Sequence, residues 1–115
     1  MPECYQKLKN MEFIASAKNI RVTPRKMRMV ADAVRGLSTD VAINKLNFLA
    51  KSATMPILKV IKSALANSKK ENLKIKNILI DEGFKMKRRD TSHGDRFGGG
   101  TLTKQTSHVK VILEG

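Results

Sequence analysis

At 115 residues, 41% of them hydrophobic, the chain can bury one modest core and not two. Its 23 Lys and Arg against 10 Asp and Glu give a formal net charge of +13, a field that draws nucleic acid, an anionic membrane or an acidic protein. Apolar runs such as Ile78-Leu79-Ile80 are far too short to cross a bilayer. Without Trp, and with 4% aromatics, the chain lacks interfacial anchors and the platforms of a dedicated single-strand stacker.

Residues 1–11 read as a loose N-terminus, and MPECYQKLKNMEF has neither the apolar stretch of a signal peptide nor the character of a transit sequence. The single Cys4 cannot form an intramolecular disulfide and reads as a free thiol compatible with a reducing compartment. A first strand is expected over Glu12–Val22, where small and apolar residues loosely alternate. Thr23-Pro24 then opens a helix: Thr can accept a first-turn amide, and Pro fits the first helical position. Met27, Val30, Ala31 and Val34 form its apolar stripe, and Gly36 closes it as a left-handed cap. Ser38 or Thr39 caps a short second helix carrying Ala42, Leu46 and Leu49.

A third helix is expected from about Ser52 to Lys70, with Pro56 in its first turn. Ala53, Ile57, Val60, Ile61, Ala64 and Ser68 should be buried, while Lys59, Lys62, Lys69 and Lys70 face outward. The small residues Ala64, Ala66 and Ser68 point to a close approach of another backbone. After Lys70 the period changes from helix to strand. A bulge at Lys76-Asn77 is needed to bring Leu73, Ile75, Ile78 and Ile80 onto one face. Gly83 permits a bend where a basic, glycine-broken hairpin leaves the body, and a last strand over Ser107–Leu113 returns to the sheet. The fold class is α+β: a three-stranded antiparallel sheet packed against three helices, with a long protruding hairpin. One domain spans 1–115, with 84–107 as the extended arm.

Two basic clusters carry the functional reading. Lys18, Arg21, Arg25, Lys26, Arg28 and Arg35 surround the first helix, and Arg25, Lys26 and Arg28 lie off its apolar stripe. Cations in a first turn oppose the helix dipole, which makes sense where a phosphate occupies the cap. Lys85, Lys87, Arg88, Arg89, Arg96, Lys104 and Lys110 lie along the arm, offset by Asp90 and Asp95. About ten residues from Gly83 to His93 give a reach of roughly 30 Å, suited to a groove of phosphates. The bland alternatives are a solvated basic face and an unstructured basic loop that folds on its partner.

Other motifs carry no chemistry. Gly98-Gly99-Gly100 lacks the strand before it and the Lys-Ser or Lys-Thr after it that a phosphate loop needs, and reads as a turn. His93 and His108 have no ligand at metal spacing. Asp81 and Glu82 point to opposite faces of a strand, so they form no acid–base pair. The chain is therefore read as a non-enzyme without cofactor or metal.

Taken in order, RVTPRKMRMVADAVRG, VAINKLNFL, KVIKSALANSKK, LKIKNILIDEGFKMKR and TSHVKVIL resemble the twenty-second protein family of the bacterial large ribosomal subunit, over residues 13 to 113. The resemblance implies a compact domain on the large subunit, near the polypeptide exit. Its hairpin threads through large-subunit ribosomal RNA to the exit-tunnel wall, and the family binds that RNA early in assembly. It assigns RNA contact to Thr23, Pro24, Arg25 and Lys26, and matches Arg35-Gly36 and Ser63-Ala64-x-x-Asn67 to family positions. Gly83, Met86, Lys87 and Arg88 open the hairpin, and Thr106, Ser107 and His108 close it, with Asn67, Thr106 and His108 counted among the expected RNA contacts. The tunnel-lining tip would comprise Arg89, Asp90, Thr91, Ser92, His93, Gly94, Asp95 and Arg96.

That tip departs from the family's Pro-Arg-Ala-x-Gly-Arg-like stretch: RDTSHGDRFGGGTLTKQ has two acids, more glycine and fewer arginines, and implies a less firmly anchored tip. The implied partners are large-subunit ribosomal RNA, neighbouring ribosomal proteins and the nascent polypeptide, with no membrane and no homo-oligomer. The location is cytoplasmic, in a bacterial or an organelle ribosome. Two rivals remain. Thr23–Leu49 has the outline of a helix-turn-helix DNA binder, but its second helix offers Asp40, Asn44 and Asn47 with only one cation, Lys45. A protein-only adaptor for acidic partners would explain the charge but not the arm.

Overall fold

The computed structural model describes residues 11–92, 94 and 99–115. Cys4, His93, Asp95, Arg96, Phe97 and Gly98, the first of the three consecutive glycines, fall outside them. The element order is β1 (Glu12–Ile20), α1 (Pro24–Val34), α2 (Thr39–Phe48), α3 (Thr54–Ser68), β2 (Lys74–Arg89) and β3 (Thr101–Glu114). All three strands are antiparallel in the order β1-β3-β2, so the last strand sits in the middle. The fold is the expected α+β arrangement with a long β2–β3 hairpin.

The core lies between one face of the sheet and the helices. Val109, Val111 and Leu113 of β3 and Ile75 and Ile78 of β2 are essentially inaccessible, as are Met27, Val34, Ile57 and Ile61 on α1 and α3. The α1 stripe is buried as its spacing predicts, and so are Ala53, Ile57, Val60, Ile61, Ala64 and Ser68. Ala66, however, faces solvent, while Ala64 and Ser68 are buried, and the neighbouring Asn67 side chain donates to the Ile14 carbonyl of β1 at 3.4 Å. Residues 76–77 form the expected bulge, because Ile75 pairs with Leu113 and Asn77 with Ile112, leaving Lys76 extra. Leu73, Ile75, Ile78 and Ile80 consequently share the buried side.

Helix ends differ from the expected capping. Thr23 and Ser38 stand at the N-cap positions in extended conformation, but neither side chain makes a cap hydrogen bond. Gly36 does take the left-handed conformation, with φ +80°, and α1 ends there. The third helix is shorter than its pattern, starting at Thr54, whose hydroxyl bonds back to the Lys51 carbonyl at 2.7 Å, and closing on a left-handed Lys69.

Beyond the body, β2 and β3 continue as a two-stranded ribbon. β1 pairs with β3 only as far as Ile20–Ser107, whereas β2 and β3 remain paired through Lys85–Gln105 to Arg89–Thr101, and Asp90 N–H donates to the Gly100 carbonyl at 2.8 Å. The last strand thus begins at Thr101 rather than Ser107. A second register shift lies between Glu82 and Lys85. There a Cβ on Gly83 would sit 2.5 Å from Thr106 Oγ1 and 3.1 Å from Thr106 backbone, so only glycine allows the two strands this close.

Candidate RNA-binding surface

The end of β1, the start of α1, the α2–α3 loop and the root of the arm enclose an open cleft of about 410 Å³. Arg21, Thr23 and Lys26 line it from the body, and Met86, Thr103, Lys104 and Gln105 from the arm. α1 brings its first turn to this cleft with no acidic residue in it and Pro24 buried at its start. The first intrahelical bond is from Met27 N–H to the Thr23 carbonyl, 3.1 Å, so the preceding amides of Arg25 and Lys26 have no helical acceptor. Donors, helix dipole and cations therefore add at one place. A second depression of about 370 Å³ adjoins it, lined by Asn19, Arg21, Phe84, Met86 and Thr106; Arg21 and Met86 belong to both.

The sequence-predicted cations divide into two kinds. The side chains of Lys18, Arg21, Arg25 and Lys26 in the body, and of Lys87, Arg88, Lys104 and Lys110 on β2 and β3, have no ion-pair or hydrogen-bond partner among the described residues. Arg28 and Arg35 are different. One helical repeat of seven apart on α1, they reach successive outward carbonyls on the free edge of β2: Arg35 Nη2 donates to Ile78 at 2.9 Å, and Arg28 Nη2 to Ile80 at a longer 3.4 Å. Arg35 Nη1 also pairs with Asp32 at 2.6 Å. These guanidiniums cover a sheet edge that would otherwise invite another strand.

Other predicted site residues also serve the fold. Thr106 Oγ1 donates to the Phe84 carbonyl at 2.6 Å, pinning the arm's root. His108 Nδ1 accepts the Asn19 backbone N–H at 3.0 Å, and Asn19 takes the unusual φ of +57°, where β1 slips against β3. Asn67 holds α3 to β1, as described above. Lys85 lies 3.8 Å from Glu82, and Arg89 ends the ribbon. Past it Asp90 Oδ1 accepts both the Ser92 N–H at 3.0 Å and the Ser92 hydroxyl at 2.6 Å. Those two bonds hold the Asp90 carboxyl below the ordinary aspartate range. Of the expected tip, Arg89, Asp90, Thr91, Ser92 and Gly94 are described, all exposed except the half-buried Asp90.

On the open face of the sheet, Lys76 forms an ion pair with Glu12, and the carboxylate raises the lysine's pKa first through the hydrogen bond and then through its charge. Both groups are well exposed, so the pair contributes little stability.

Two residues at the root were given no binding role by sequence reasoning. Phe84 is 69% exposed and Met86 38% exposed, on a strand whose preceding apolar residues are buried. An aromatic placed beyond the last core position of β2 was the available signal.

Comparison with known proteins accounts for this combination of body and arm. The profile of the family described as Ribosomal protein L22p/L17e matches residues 15–114. The large ribosomal subunit protein uL22 of Desulfotalea psychrophila is 42% identical, the match covering 90% of this chain and 98% of that protein. Its counterpart in Desulfatibacillum aliphaticivorans is 38% identical over 90% and 99%, and that in Mycoplasma capricolum 40% identical over 90% and 96%. The chain belongs to the ribosomal protein L22p/L17e family and is a structural, non-enzymatic constituent of the large subunit of the cytoplasmic ribosome.

Proposed function

We propose that this chain binds large-subunit ribosomal RNA through the cleft between the α1 first turn and the arm, and that the arm extends through RNA to line the polypeptide exit tunnel. The observation that carries the reading is the meeting, in one cleft, of unpaired Arg21 and Lys26 from the body with unpaired Lys104 from the arm. Lys18 and Arg25 extend the body's contact, and Lys87, Arg88 and Arg89 extend the arm's. Arg28, Arg35, Asn67, Thr106 and His108 support binding mainly by holding these elements in place. Residues 1–115 act as one ribosomal-protein domain that assists subunit assembly, beside other large-subunit proteins and the nascent polypeptide, without self-association.

Excess positive charge along two strands with no third partner gives the ribbon a reason to remain exposed until a polyanion covers it. The test is binding of the full chain to a large-subunit RNA transcript across a salt series, with duplex DNA as competitor. A steep loss of affinity with salt, combined with preference for the transcript, supports the reading. Equal or stronger binding to the duplex overturns it in favour of the helix-turn-helix alternative.

A further inference from the structure

We infer that the root of the arm is a nucleotide site, in which an unpaired RNA base stacks on Phe84 while the adjoining phosphates lie on Arg21 and Lys104. The inference rests on the RNA reading above and makes it specific. A single exposed apolar side chain is ordinary on a protein surface, so exposure alone carries nothing. Three further observations set Phe84 apart.

First, it lines a depression of about 370 Å³ together with Arg21, and that depression shares Arg21 and Met86 with the neighbouring cleft containing Lys104. An aromatic face and unpaired cations therefore border two adjoining hollows, with Arg21 and Met86 lining both. Second, its backbone is fixed: Thr106 Oγ1 holds the Phe84 carbonyl at 2.6 Å, and Gly83 lets the strands close beside it. A platform held this way loses little freedom when a ligand arrives. Third, the acid two residues away, Glu82, faces Lys85 at 3.8 Å, which reduces the local repulsion a phosphate would meet.

Stacking on aromatics and phosphate contact with cations is how proteins take unpaired RNA bases, whereas a continuous duplex presents no free base face. The chain contains no tryptophan, so Phe84→Trp installs a unique reporter without disturbing the core. Saturating the full chain with a large-subunit RNA transcript should quench that indole. Phe84→Leu, which keeps apolar bulk but no ring, should weaken binding on the order of 5- to 100-fold, and Phe84→Tyr should restore it. Unchanged indole emission at saturation, or wild-type affinity for Phe84→Leu, would overturn the site while leaving the RNA reading intact. Failure of the wild-type chain to bind the transcript overturns both.

Discussion

The same two strands build both halves of this molecule and behave differently in each. Between Lys74 and Ile80, and again between Val109 and Leu113, Ile75, Ile78 and Ile80 of β2 and Val109, Val111 and Leu113 of β3 are buried on the sheet face that the helices cover. From Lys85 to Arg89 and from Thr101 to Gln105 the pairing persists, yet each residue is exposed. Strand pairing is therefore separable from burial. The body is held by apolar contact that works without a partner. The arm has only its ladder and its charge, so its rigidity depends on what surrounds it.

The largest effect that can break this contrast is in the core. Ile57→Ala, at a fully buried position, should cost about 2–5 kcal/mol in denaturant unfolding. Leu102→Ala on the exposed ribbon should cost less than about 0.5 kcal/mol. Equal costs would mean that the arm is packed as firmly as the body. Next comes the junction: Gly83→Val drives a side chain into Thr106, and should release pairing beyond Glu82 at about 1–3 kcal/mol. Amide exchange would show it as lost protection in the arm alone.

A third pair of variants separates the cations that hold the fold from those that bind. Arg35→Ala removes the bond to Ile78 and should destabilise the body by about 1 kcal/mol, discounted for the exposure of the side chain. Arg25→Ala should leave the melting temperature unchanged and weaken binding to the RNA transcript. If the two variants trade places, the assignment is wrong.

The smallest effect concerns the turn beyond the ribbon. Asp90 has a lowered pKa, so the carboxylate's bonds to Ser92 are fully present at neutral pH and are lost as pH falls through that lowered value. Its carboxyl should titrate by NMR below the ordinary aspartate range, and Ser92→Ala should return it towards that range.

Much of the body was legible because its signals are periodic. The α1 stripe, the left-handed Gly36 and the bulge at Lys76 each follow from spacing along the chain, and the sequence blocks from Arg21 to Leu113 carry the family. What spacing cannot reveal is where a long side chain ends. Arg28 and Arg35 lie off the apolar stripe, as read, but their guanidiniums extend past it to the β2 edge. Thr23 occupies the N-cap without using its hydroxyl. His108 and Asn67 answer backbone groups 89 and 53 residues away, partners that only the assembled sheet supplies. Phe84 gains meaning through Arg21, brought beside it by the β1–β3 pairing rather than by sequence proximity.

Hydrogen exchange of the full chain, alone and saturated with a large-subunit RNA transcript, compares body and arm in one experiment. Amides at Lys85–Arg89 and Thr101–Gln105 should exchange readily in the free protein and become strongly protected in the complex, while the buried strand amides around Ile78 and Val111 hardly change. An arm already as protected as the core without RNA, or one still unprotected within the complex, would contradict this account.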